Sequence, residues 1–170
     1  MKTKNVTQLA MESELAALER YLRLANEVRD MGAKDMFIHL AKDELTHFHT
    51  LRQMQDGKKA SPPLDVETWD RLIDKVAQIG VTKVSAKKQR DALTLALEEE
   101  EKAHQIYTQE AERSDDESQK AIWLGLASME RGHAEILRRQ IEELGRSGSW
   151  LDFLPVIRTR GSEDIIPPQG

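Results

Sequence analysis

The sequence predicts an all-α protein, an antiparallel four-helix bundle built from a duplicated helical hairpin. Three observations carry this. Apolar residues recur at spacings of three and four through four long stretches, the mark of helices that each bury one stripe. The motif Glu44-x-x-His47 returns as Glu130-x-x-His133. At that offset of 86 residues Leu9 falls on Leu95, Glu14 on Glu100, Tyr21 on Tyr107, Leu40 on Leu126 and Leu51 on Leu137. Self-similarity at a fixed offset argues that one supersecondary unit is repeated.

The first helix is expected over about 6–31, with Ala10, Ala17, Leu18, Tyr21, Leu22, Ala25 and Val28 on its buried stripe and Glu14 among them. Gly32 would stop it. A second helix over about 33–55 turns Phe37, Leu40, Ala41, Phe48 and Leu51 inward, and Glu44 and His47 share that register. The short connection makes the two helices antiparallel neighbours. From about 56 to 85 the pattern breaks: Asp56-Gly57-Lys58-Lys59 and Ser61-Pro62-Pro63 read as loop, with a short helix expected over 66–79. A crossover of that length suits parallel second and third helices. The third, over about 85–113, places Leu93, Ala96, Leu97, Ala103, Tyr107 and Ala111 inward. Ser114-Asp115-Asp116-Glu117 reads as a capping box that opens the fourth. That helix runs to about Leu144 through Ile122, Leu126, Met129, Leu137 and Ile141, with Gly145 and Gly148 as its stops. The bundle thus occupies 1–144, and a tail over 145–170, holding Trp150, Phe153 and Pro155, has no assignable pattern.

Composition narrows the function classes. With 39% hydrophobic and 32% charged residues in a chain of 170, one domain with a real core is the expectation. A net charge of −5 gives no basic footprint for nucleic acid, and no apolar run approaches a membrane span. The first residues lack the apolar stretch of a signal peptide, so a cytoplasmic location is expected. The absence of cysteine removes disulfides, thiol nucleophiles and thiolate metal sites. A metal would have to be held by carboxylate and imidazole, which favours iron, manganese or zinc.

The chemistry concentrates in the inward carboxylates. Glu98-Glu99-Glu100-Glu101 steps through about 300° of helix circumference, so one member must face the core. Spacings of four, three and four from Ala96 through Glu100 and Ala103 to Tyr107 choose Glu100. Glu14, Glu44, Glu100 and Glu130 in one empty core would be heavily penalised, whereas two divalent cations balance four carboxylates beside two neutral imidazoles. One Glu from each of two helices plus Glu-x-x-His from each of two others is a recognised dinuclear constellation. The candidate ligands are therefore Glu14, Glu44, His47, Glu100, Glu130 and His133. The spacing alone is cheap: Glu101 and His104 also satisfy it, with Glu101 facing outward. His104 reads first as a satisfied histidine at the core edge and second as an outer partner of the site; His39 and His49 read as surface residues. Tyr21 and Tyr107, each two turns beyond a glutamate, are expected either to pack in the core or to hydrogen-bond a ligand carboxylate.

On Glu14 with Ala17 and Tyr21, Glu44-x-x-His47, Glu100 with Ala103 and Tyr107, and Glu130-x-x-His133, the chain resembles the rubrerythrin branch of the ferritin-like superfamily over about 9–144. The resemblance implies a ferritin-like bundle with a di-iron centre in which Glu44 and Glu130 bridge, Glu14 and Glu100 are terminal, and His47 and His133 each bind one iron. Members reduce hydrogen peroxide or oxidise ferrous iron, and many are homodimers, some by exchanging helices. Two departures stand out. Full-length rubrerythrins carry a four-cysteine rubredoxin-like domain that feeds electrons to the centre; without cysteine, this chain would need an external electron-donor protein. They also carry an extra glutamate one turn beyond the third-helix ligand, where this chain has Ala103. Manganese or zinc could substitute for iron in such a site. Reduction of hydrogen peroxide, or activation of dioxygen, is the first reading; a ferroxidase or iron-storage subunit and a purely structural metal bundle are the others.

Overall fold

Among the residues that the computed structural model describes, 5–57 and 86–151, four helices form: α1 (Val6–Glu27), α2 (Met31–Asp56), α3 (Ala86–Arg113) and α4 (Glu117–Ser147). No strand occurs among these residues. Each helix starts or stops where local chemistry satisfies its end groups. The Asn5 side chain accepts the Gln8 N–H at 2.8 Å and opens α1. That helix ends at Glu27, short of Gly32, because Val28 turns extended and Asp30 caps the next helix by accepting the Ala33 N–H at 2.9 Å. Gly32 therefore lies inside α2 and is not a stop. Gly57, at φ 64°, closes α2 in the left-handed conformation that only glycine adopts cheaply.

The start of α4 also differs from the capping-box expectation. Asp116 is the cap, accepting from the N–H groups of Ser118 at 2.8 Å and Gln119 at 3.1 Å, while the Ser114 hydroxyl donates back to the Glu110 carbonyl. At the far end Gly148, with φ 73°, stops the helix, and Gly145 continues it. Met129, expected inward, is 38% exposed. Phe48, Ala17, Leu97, Ala103, Ile122 and Ile141 are half-buried at the edges of their stripes.

Pairings across the helices set their directions. Tyr21 stacks on Phe37 while Glu14 meets His47, so α1 and α2 are antiparallel. Glu101 pairs with Arg138 and Tyr107 packs on Trp123, so α3 and α4 are antiparallel too. Tyr21 reaches Glu100 and Tyr107 reaches Glu14, which runs α1 against α3 and leaves α2 parallel to α3. That is the expected four-helix bundle with its crossover topology. The crossover itself, with the helix expected over 66–79, lies outside the described residues.

The helices of each hairpin pack along their lengths, whereas the two hairpins approach one another at few backbone positions. The core is split accordingly. One apolar cluster gathers Leu18, Phe37, Leu40, Leu93, Ala96 and Leu137; the other gathers Ala10, Leu51, Tyr107, Ala111, Trp123 and Leu126. The candidate ligands form a polar band between them. Beyond α4 the chain turns back onto the bundle, with Trp150 edge-on to Phe37 at 5.8 Å and the Leu151 N–H donated to Gln140 Oε1 at 3.2 Å. The remainder of the expected tail, including Phe153 and Pro155, lies outside the described residues. No helix among those described is long and apolar enough to cross a membrane.

Candidate metal centre

The bundle brings Glu14 of α1, Glu44 and His47 of α2, Glu100 of α3, and Glu130 and His133 of α4 into one cluster, each at most 4% exposed. Glu14, Glu44, His47 and Glu130 offer ligand atoms within 4.8 Å of one another, and so do Glu44, Glu100, Glu130 and His133. Glu44 and Glu130 belong to both sets. His47 Nδ1 lies 2.8 Å from Glu130 Oε1, 3.2 Å from Glu44 Oε2 and 3.4 Å from Glu14 Oε2. His133 Nδ1 mirrors it at 3.1 Å from Glu44 Oε1, 3.2 Å from Glu130 Oε2 and 3.7 Å from Glu100 Oε2.

The donors fit a pair of divalent cations. Glu44 Oε1 and Glu130 Oε1 make no hydrogen bond among the described residues, although an imidazole nitrogen stands 3.1 and 2.8 Å away. Their lone pairs and those nitrogens converge on shared space instead of on each other. A buried acceptor left without a partner costs about 1–3 kcal/mol, and more when charged; a cation between the donors uses the same lone pairs. Four carboxylates and two neutral imidazoles also match the charge of two such ions and the hard oxygen and nitrogen preference of iron or manganese.

The electrostatics show what crowding costs without that compensation. Burial, reinforced by neighbouring carboxylates, pushes Glu44 up to about 8 and Glu100 up to about 7. Burial pushes Glu130 the same way, but the adjacent His133 and His47 imidazoles outweigh it and hold it below the usual carboxylate range. The imidazoles move oppositely to a lone buried histidine. Burial would lower both, yet the surrounding carboxylates raise His47 and His133 above their ordinary value. Protons thus take up part of the role that metal charge would fill.

Tyr107 donates its hydroxyl to Glu14 Oε1, and Tyr21 donates to Glu100 Oε1. Each tyrosine serves the glutamate of the opposite hairpin. Burial and the facing carboxylates raise both phenols well above their ordinary range, so they remain donors at neutral pH. His104 is not part of the cluster: its Nδ1 bonds the Ala127 carbonyl at 2.8 Å and ties α3 to α4. His49 packs edge-on to Phe48 at 5.4 Å.

Asp43 is the residue that spacing arguments passed over. Its Oδ2 lies 3.3 Å from His133 Nε2 and 3.6 Å from His39 Nε2. The available signal was an acid immediately before the first Glu-x-x-His and absent from the second. Arg20 pairs with Glu99 across the α1–α3 seam, where the repeat offset would have placed Ile106 and Ser13 and so gave no hint.

Residues 91–160 match the family model for rubrerythrin, a span that takes in Glu100, Glu130 and His133. Over that span the chain is similar to rubrerythrin. No curated protein matches it. Among solved structures, a hypothetical protein from Pyrococcus furiosus is 28% identical over 81% of this chain and 86% of its own, with a TM-score of 0.63. In the bundle described here Ala103 is half-buried, and it lines a hollow of about 310 Å³ between α1 and α3 with Leu9, Ser13, Ile106 and Tyr107. No carboxylate occupies the position one turn beyond Glu100.

Proposed function

We propose that this rubrerythrin-like chain holds two iron ions between its hairpins and reduces hydrogen peroxide with electrons from an external donor protein. The observation that carries the proposal is the sharing of Glu44 and Glu130 by two otherwise separate donor sets. Shared carboxylates make one dinuclear site instead of two mononuclear ones. On this reading Glu44 and Glu130 bridge, Glu14 with His47 completes one position, and Glu100 with His133 completes the other. A ferrous pair, when bound, supplies two electrons, which is what cleavage of a peroxide bond consumes.

The protein's own part is positioning and exclusion of water. Tyr21 and Tyr107 hold the two terminal carboxylates through protonated hydroxyls, and apolar clusters on either side keep the surroundings at low dielectric. With no cysteine in the chain, no thiolate cluster within it can refill the centre, hence the external donor.

Steady-state turnover by purified, iron-loaded protein with a chemical reductant tests the proposal. Peroxide-dependent oxidation of the reductant, lost in Glu44→Ala, is the expected result. Catalytic oxidation of added ferrous iron with release of ferric product, and no reductant-driven peroxide turnover, would assign the chain to iron handling instead. Metal binding with neither activity would leave a structural bundle.

A further inference from the structure

We propose that Asp43 makes the two metal positions unequal, fixing the His133 imidazole for tight binding while the His47 imidazole is left without an equivalent support. The inference rests on the dinuclear reading above. The two halves are near copies around the cluster, and the imidazole nitrogens that face the carboxylates are Nδ1 in both. An imidazole that binds metal through Nδ1 must carry its proton on Nε2. A carboxylate on that proton fixes the tautomer and ring orientation and raises the basicity of the ligating nitrogen.

Asp43 provides this for His133, with Oδ2 3.3 Å from Nε2. His39, one turn earlier on α2, flanks the same oxygen from the solvent side at 3.6 Å. The repeat offset predicts where the matching support for His47 should come from: residue 129. That position is Met129, 38% exposed, and His47 Nε2, although buried, has no hydrogen-bond partner among the described residues. One half of the duplication therefore supplies a carboxylate to the other's histidine, and the return arm is missing. The asymmetry also places one negative charge in contact with His133, whereas His47 feels it only at longer range. Outer partners of this kind change metal affinity by about 10- to 100-fold.

The test uses the full chain, crystallised anaerobically with one equivalent of manganous ion, with occupancy at each position read from anomalous scattering. The position built from Glu100 and His133 should fill first, and Asp43→Ala should bring the two occupancies together. Met129→Asp, at an exposed site that tolerates the change, should raise occupancy at the His47 position, a gain that general loosening of the fold cannot produce. Asp43→Asn, which keeps an acceptor but no charge, should retain part of the preference. Equal occupancy in the unaltered protein, or an unchanged preference in Asp43→Ala, overturns the proposal. Saturation at fewer than two ions per chain at excess manganese would instead remove the dinuclear reading on which it stands.

Discussion

Glu44 and Glu130 differ from the other candidate ligands in having two imidazoles to answer to, and substitution should expose that difference. Metal bound only to the folded state stabilises it by about 3 kcal/mol when free metal exceeds the dissociation constant a few hundredfold. Melting should therefore rise with added manganous or ferrous ion, and Glu44→Ala should abolish most of the rise while relieving repulsion in the metal-free form. Glu98→Ala, on the exposed side of the same acidic run, is the control and should change neither; equal behaviour of the two variants would count against a bridging role. Tyr107→Phe isolates a neighbouring contribution. It removes the hydroxyl donated to Glu14 across the hairpins without emptying the packed space against Trp123. A loss of about 1.5–3 kcal/mol, the range for a hydrogen bond to a charged partner, should appear in urea unfolding at fixed metal concentration. An unchanged midpoint would mean that Glu14 finds another donor.

Helix ends were less legible than helix faces. The periodicity of α1 continues toward Gly32, but the Asp30 side chain satisfies the first free amides of α2 and sets the break earlier. Two glycines near the end of α4 look alike in sequence, and only the backbone separates them. Gly148 sits at φ 73°, whereas Gly145 is helical with nothing within 4 Å of where a Cβ would stand. Gly145→Ala should therefore stabilise the protein by about 0.5–1 kcal/mol. Gly148→Ala should destabilise it by about 1 kcal/mol, the cost of the left-handed conformation for a residue with a Cβ. Thermal denaturation of the two single variants checks the opposite signs; matching shifts would mean that the cap is misassigned.

At the scale of the molecule, two internally well-packed hairpins meet across a band of carboxylates, so metal bound there as proposed should act as a clamp between them. Removing metal from the intact protein should speed hydrogen exchange most in the turns around residues 14, 44–47, 100 and 130–133, with smaller changes toward Trp123 and Phe37 in the two apolar clusters. Equal protection with and without metal would show that apolar packing alone holds the seam. The sequence by itself determined the four helices, the duplication and the six inward candidate ligands, because a helix places residues three and four apart on one face whatever surrounds it. The same reasoning could not tell that Tyr107 serves Glu14 and Tyr21 serves Glu100, that His104 turns to the Ala127 carbonyl, or that Asp43 reaches His133. Those contacts join residues 23 to 93 positions apart. They depend on how one hairpin is rotated and seated against the other, which local periodicity does not encode and only the packed tertiary structure decides.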